Sequence, residues 1–256
     1  MELQLKGKVA LVTGGSRGIG RSIAELLVKE GCDVLVVARN VPTDPAISRA
    51  AEATGPLLAS FAADLSTKEG VESAVRMAID TFGRLDILIN NAGSAPRGDF
   101  LKLTEEEWQE GFALKFFGYV RMTRAAWPYL KEARGSMVNV VGVSAYTPDA
   151  DYTIAASSNA GLLAFTKAMA VLGQRDGVRV NAVNPGQIET ERLAGVLKKM
   201  GLPENEARSR LLEGLGMDRF GQPEDVAAVV AFVVSERAGY VQGAMFNVDG
   251  GRTRGW

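Results

Sequence analysis

Thr13-Gly14-Gly15-Ser16-Arg17-Gly18-Ile19-Gly20 joins an apolar run, Val9 to Val12, to a segment of helical period, Gly18 to Glu30. Glycines at this junction leave no side chains in front of the backbone N–H groups and the start of the helix. That arrangement suits a pyrophosphate, drawn by the N–H donors and by the positive end of the helix dipole. The same alternation recurs outward along the chain. Short runs rich in Val, Ile and Leu stand at Val9 to Val12, Val34 to Ala38, Leu58 to Ala62, Ile87 to Asn90, Ser136 to Val141, Arg179 to Val183 and Ala244 to Val248. Between them lie periodic segments at Gly18 to Glu30, Lys68 to Phe82, Glu105 to Lys131, Ala155 to Gly173 and Pro223 to Ser235. This rhythm predicts an α/β, doubly wound fold, with a parallel sheet of about seven strands covered by helices on both faces. Thr104 with Glu107 reads as a capping box, and Pro223 suits a first helical position.

The chain has 256 residues, 46% of them hydrophobic and 23% charged, enough for one sizeable core. With no internal repeat, low-complexity tract or Gly/Ser linker, residues 1–256 are expected to form a single domain. The least regular stretch, Gln187 to Asp218, contains Gly195, Gly201, Gly214 and Gly216 and reads either as a substrate lid or as a pair of surface helices with glycine caps. The 29 Lys and Arg against 30 Asp and Glu give no field that would favour nucleic acid or an anionic membrane. The absence of histidine removes His general bases, Ser-His and Cys-His nucleophile pairs and His-ligated metals together. The lone Cys32 can form no internal disulfide and is expected to be a small buried hydrophobe in a reducing, cytoplasmic compartment. Met1 to Thr13, interrupted by Glu2, Lys6 and Lys8, lacks the apolar core of a signal peptide, and the run Val226 to Val234 is far short of the roughly 20 residues of a membrane helix.

The spacing of the glycine turn is TGxxxGxG rather than GxGxxG. Together with Asn90-Asn91-Ala92-Gly93, Asn181-Ala182-Val183-Asn184-Pro185-Gly186, Gly221-Gln222-Pro223-Glu224-Asp225 and Val248-Asp249-Gly250-Gly251, it resembles the short-chain dehydrogenase/reductase family over essentially the whole chain. Within that family it looks most like the members related to 3-oxoacyl-carrier-protein reductase. The resemblance implies a Rossmann-like, nucleotide-binding domain and an oxidoreductase exchanging hydride between a nicotinamide dinucleotide and the carbonyl or secondary alcohol of a small molecule. It implies that Gly14, Gly15, Ser16, Arg17, Gly18, Ile19 and Gly20 hold phosphate and ribose, that Asp64 and Leu65 meet the adenine, and that Asn91, Ala92 and Gly93 line the adenosine ribose side. Pro185, Gly186, Ile188 and Thr190 would hold the carboxamide and diphosphate from the other wall. It further implies a homo-oligomer, a dimer or tetramer, through the helices at Glu105 to Lys131 and Ala155 to Gly173. NAD-dependent folds of this kind carry an acidic side chain near the end of the second strand. Here that position is Ala38, followed by Arg39, and with Arg17 two guanidinium groups would flank a 2′-phosphate, so NADP is expected. If both arginines are merely solvated, NAD remains possible.

The chemistry departs from the family. Its usual tetrad is a Ser that holds the substrate oxygen, a Tyr that transfers the proton, a Lys four residues later that lowers the Tyr pKa, and an Asn from the preceding long helix. Leu162, Phe165, Thr166 and Ala170 match the segment that follows Tyr-x-x-x-Lys, which places Ala155 at the Tyr, Asn159 at the Lys and Gly142 at the Ser, while Lys115 stands at the Asn. A cation is lost at Asn159 and one is gained at Lys115. Tyr152 lies about one helical turn early, and the expectation is that its hydroxyl approaches Lys115, whose ammonium would stabilise tyrosinate and rebuild an acid–base pair. In the alternative, Tyr152 is a loop aromatic and Lys115 the partner of an acid or a water. Ser144, Tyr146 and Ser157 lie close enough in sequence to donate a hydrogen bond to a substrate oxygen, but such hydroxyls are more often turn or helix-cap residues. Asp149 and Asp151 read most simply as solvent-facing, and Arg252, Arg254 and Trp256 as a short cationic tail. Two other functional classes stay open: a catalytically silent nucleotide-binding protein, and a hydride transfer that needs little acid from the protein.

Overall fold

Val9–Thr13 (β1) is buried at every position, as a strand covered on both faces must be. Its side chains alternate between two cores. Ala10 and Val12 join Ile23, Ala24 and Leu27 of Gly18–Lys29 (α1) on one face, and Val9 and Leu11 join a second cluster on the other. The computed structural model describes residues 2–41, 48–49 and 55–253. Six further strands run parallel to β1: Asp33–Ala38 (β2), Leu57–Ala62 (β4), Ile87–Asn90 (β5), Ser136–Val140 (β6), Arg179–Pro185 (β7) and Met245–Val248 (β8). The two-residue strand Ser48–Arg49 (β3) pairs antiparallel with β4 at one edge, and the order across the sheet is β3-β4-β2-β1-β5-β6-β7-β8. The expected parallel strands are all present. The additional edge strand is too short to leave a hydrophobic alternation in the sequence.

Pro223–Val234 (α8) packs beside α1 through Val226, Val230 and Val233. Lys68–Phe82 (α2) covers the opposite face. The single helix expected over Glu105 to Lys131 is three pieces: Glu105–Phe112 (α3), a π-helical turn at Ala113–Gly118, and Tyr119–Ala133 (α4). Gly118 closes that turn against Leu65, whose carbonyl oxygen would lie 2.9 Å from a Cβ. The capping box of Thr104 and Glu107 is present with both bonds. Thr153–Asp176 (α5) starts two residues before the expected Ala155. It is apolar and long enough to cross a membrane by composition alone, but Leu162, Leu163 and Ala170 spend that apolarity within the hydrophobic clusters.

Between β7 and α8 the irregular stretch folds as two helices, Glu191–Lys199 (α6) and Glu204–Leu215 (α7), around Leu193, Leu197, Ala207 and Phe220. Gly201 and Gly216 have φ of +67° and +64° at the helix ends, whereas Gly195 and Gly214 lie inside the helices rather than at caps. Cys32 is fully buried, its thiol facing the Leu5 carbonyl at 3.4 Å, and burial pushes it up to about 12. Arg254 and Trp256 lie outside the described residues.

Candidate active site

β1 ends at Thr13, whose hydroxyl accepts the N–H groups of Asn91 and Ala92 at 2.8 and 3.0 Å. The Asn91 amide in turn donates to the carbonyls of Thr13 and Gly14 at 3.0 and 3.2 Å. The glycine turn is thereby fastened to the end of β5. Gly14, at φ +66°, lies so close to Ala92 that a Cβ would come within 2.8 Å of its Cα. The next turn of chain, at Gly20, backs onto the Gly14 carbonyl. Arg17 is the extended N-cap of α1 and makes no side-chain cap, and no acidic residue stands in the first turn. The first N–H groups of α1 are left for an anionic ligand, with Ser16 and Ile19 half-buried on the rim.

The opposite wall descends from β7. Pro185 ends the strand, and the Gly186 N–H donates to the Val248 carbonyl at 3.0 Å. A Cβ on Gly186 would lie 2.8 Å from the Asp249 Cα. Ile188 is buried and bridged to Gly221. Thr190, the N-cap of α6, faces Gly18, where a Cβ would be 3.2 Å from the threonine methyl. The first turn of α6 is tied across the cleft twice: Glu191 pairs with Arg17, and Arg192 donates through Nη2 to the Gly93 carbonyl at 2.8 Å. Leu65, which the resemblance places at the adenine, is buried. The Asp64 carboxylate accepts the Ser66 N–H and hydroxyl at 3.0 and 2.7 Å. Those bonds, with a smaller effect of the Arg39 charge, hold it below the usual carboxylate range. Arg39 stands exposed after Ala38, while Arg17 is engaged by Glu191.

Beyond β6, Gly142 has φ +136°, and a Cβ there would be 3.0 Å from Asn159 Nδ2. Asn159 donates that amide to the Ser144 hydroxyl at 2.8 Å, and its Oδ1 is buried with no partner among the described residues, where a buried oxygen ordinarily accepts a hydrogen bond. Lys115 sits within the π turn, a feature common at functional sites. Its stem passes beneath Gly93, where a Cβ would lie 2.5 Å from Lys115 Cδ. The ammonium donates to the carbonyls of Val140 and Val141, both at 3.0 Å, and to the Tyr119 hydroxyl at 3.2 Å. Burial, helped by the charge of Arg192, lowers Lys115 from 10.5 to about 7. Tyr119, its hydroxyl donating to Val140 O at 2.9 Å, is pushed up by burial.

Tyr152 is not among the partners of Lys115. It is the N-cap of α5, and the Arg97 guanidinium covers its ring at 4.3 Å from the centroid. Arg97 is held there by Asp151 at 3.3 Å and Asp149 at 3.8 Å, and Asp149 also meets Arg252 at 3.7 Å. The two aspartates thus belong to a charge network at the mouth of the cleft. The sequence singles out Asn159 and Ser144 separately, while the bond between them and the part played by Arg192 escape it. Asn159 had a signal, a polar residue kept inside an apolar helix; Arg192 had none, because its partner is a backbone carbonyl 99 residues away.

The glycine cradle, the uncapped start of α1 and the orphaned Asn159 Oδ1 fit a dinucleotide. Comparison with known proteins agrees. A family model described as enoyl-(acyl carrier protein) reductase matches residues 14–253. The 3-oxoacyl-[acyl-carrier-protein] reductase of Vibrio harveyi is 34% identical over 250 residues, covering 97% of this chain and 98% of that protein. Glucose 1-dehydrogenase 2 of Bacillus subtilis is 34% identical over 260 residues, covering 99% and 97%. The crystal structure of L-sorbose reductase from Gluconobacter frateurii, complexed with NADPH and L-sorbose, superposes with a TM-score of 0.92 at 32% identity and covers all of both chains. With this match along its whole length, the chain belongs to the short-chain dehydrogenase/reductase family.

Proposed function

We propose that this protein is an NADP-preferring oxidoreductase that exchanges hydride with a carbonyl or secondary alcohol of a small molecule through a non-standard acid–base site centred on Lys115. The observation that carries the reading is the Lys115 ammonium, enclosed beside Gly93 and lowered to about 7. A proton donor with a pKa near the working pH is well matched to general acid–base catalysis. The carbonyls of Val140 and Val141 need only two of its three N–H donors. The third proton, now directed at Tyr119, is the one free to move to a substrate oxygen. Ser144 Oγ accepts from Asn159, so its own hydrogen remains to donate to the same oxygen. Asn159 Oδ1 is suited to accept from a ribose hydroxyl, and bound in this cleft the dinucleotide would supply or take up the hydride.

Arg39, beside Ala38, supports the NADP preference, as does the NADPH in the similar L-sorbose reductase structure. For the assembly we propose a dimer or tetramer through α4 and α5, near which Phe117 and Val171 stand exposed. Tyr152 shares the proton work if Arg97 releases its ring. The silent nucleotide-binding reading draws its support from the three acceptors that already surround Lys115.

NADPH oxidation over a panel of ketones and aldehydes tests the proposal. Lys115→Met is expected to lower kcat at least 100-fold with NADPH affinity kept, and Tyr152→Phe to lower it less than fivefold. Equal losses in the two variants would restore the paired Tyr152–Lys115 mechanism. A wild type that binds NADPH yet reduces nothing would favour the silent reading, and undiminished turnover in both variants would leave hydride transfer without an acid from the protein.

A further inference from the structure

Resting on the oxidoreductase reading, we propose that Arg192 anchors a substrate carboxylate, so that the substrates of this site are small oxo acids rather than neutral carbonyl compounds.

Four other arginines around the cleft meet carboxylates, while Arg39 stands exposed at the far end. Arg17 pairs with Glu191, Arg208 with Glu189, Arg219 with Asp225 and Arg97 with Asp151. Among the described residues Arg192 meets none; its one hydrogen bond goes from Nη2 to the Gly93 carbonyl. The remaining edge of the fork is free for a pair of anionic oxygens, the geometry that guanidinium groups recognise best. Lys115 also lies against Gly93, its Nζ 3.3 Å from where a Gly93 Cβ would be, and it too meets only carbonyl and phenol oxygens. Two cations therefore lie beside one glycine with no carboxylate on either.

An anion that fills this gap comes from the substrate or from the dinucleotide. The diphosphate already has its own cradle in the glycine turn and the uncapped start of α1. Arg192 stands instead beside Lys115, where the reacting carbonyl must lie to receive a proton. A carboxylate close to that carbonyl would place its charge on Arg192 and its reducible carbon within reach of the lysine. Glu191, the preceding residue, is held by Arg17 and so does not compete for the Arg192 fork.

The test uses the full chain loaded with NADP+ and titrated calorimetrically with pyruvate and acetoacetate, each against its methyl ester. The expected result is at least tenfold tighter binding of the acids, a preference erased in Arg192→Met, partly kept in Arg192→Lys, with NADPH affinity changed less than twofold in both. No preference for acid over ester in the wild type, or a preference that Arg192→Met leaves intact, would overturn the proposal. So would a loss of NADPH affinity in Arg192→Met of the size expected for the acids, which would assign the arginine to the dinucleotide diphosphate. Binding is read without turnover. An acid preference in a protein that never oxidises NADPH would therefore sink the oxidoreductase reading alone.

Discussion

Burial, and then the Arg192 charge, lower Lys115 of the folded protein to about 7, so it gives up its proton at a lower pH than a free lysine. The unfolded chain keeps that proton up to the ordinary value of 10.5. Between the two values the unfolded state binds more protons, so stability rises with pH at a slope approaching about 1.4 kcal/mol per unit. Below about 7 both states are protonated and the contribution to the slope vanishes. Urea unfolding at several pH values is expected to show this rise in the wild type and its loss in Lys115→Met; parallel curves would place the lysine near its ordinary range. Lys115 was legible because Leu114-Lys115-Phe116-Phe117-Gly118 resembles the family's segment that carries an asparagine at that position. Its partners were not, since Val140 O, Val141 O and the Tyr119 hydroxyl are acceptors that carry no local pattern. The expected approach of Tyr152 treated the cleft as open space, and Arg97 occupies the face of that ring.

Elements were legible where the hydrophobic period was long. α1, α2 and α8 begin where the sequence places them, and β5 and β6 agree to within a residue. The long helix before β6 was not, because a π turn keeps nearly the same apolar spacing as an α-helix while shifting the chain by one residue. That turn carries Lys115 and ends at Gly118, where a Cβ would lie 2.9 Å from the carbonyl oxygen of Leu65. Gly118→Ala is expected to destabilise the protein by about 1–3 kcal/mol, since a backbone carbonyl cannot move aside as a side chain can. It is also expected to weaken NADPH binding, because the family resemblance places the adenine at Leu65. Chemical denaturation together with cofactor titration checks both, and a stable variant with unchanged affinity would mean that the π turn tolerates the methyl group. The helix pair α6 and α7 was one of two open readings, since its glycines mark ends and interiors alike.

For the whole molecule, the parallel sheet brings the ends of β1, β5, β6 and β7 to one side, and that much followed from the β-α rhythm alone. The composition also excluded histidine chemistry without any structure. The two ties of α6 were invisible, because they join surfaces that meet only once the sheet is assembled. A ligand held by both walls stabilises the entire fold, by about 2.7 kcal/mol at one hundred times its Kd. For a chain of this size that is a rise in Tm of roughly 5–10 °C. NADPH is expected to give this rise and NADH, at equal concentration, clearly less, with the difference collapsing in Arg39→Ala; equal shifts in the wild type would remove the NADP preference. The wall around Gly186 leans on Val248 and Asp249 of and after β8, through the Gly186 N–H bond to the Val248 carbonyl. During synthesis, a nascent chain therefore presents the glycine turn long before it can grip a dinucleotide, which becomes possible only after β8 has emerged from the ribosome. Occupancy by the ligand then distinguishes finished molecules from unfinished ones, and leaves the latter without that protection against proteolysis.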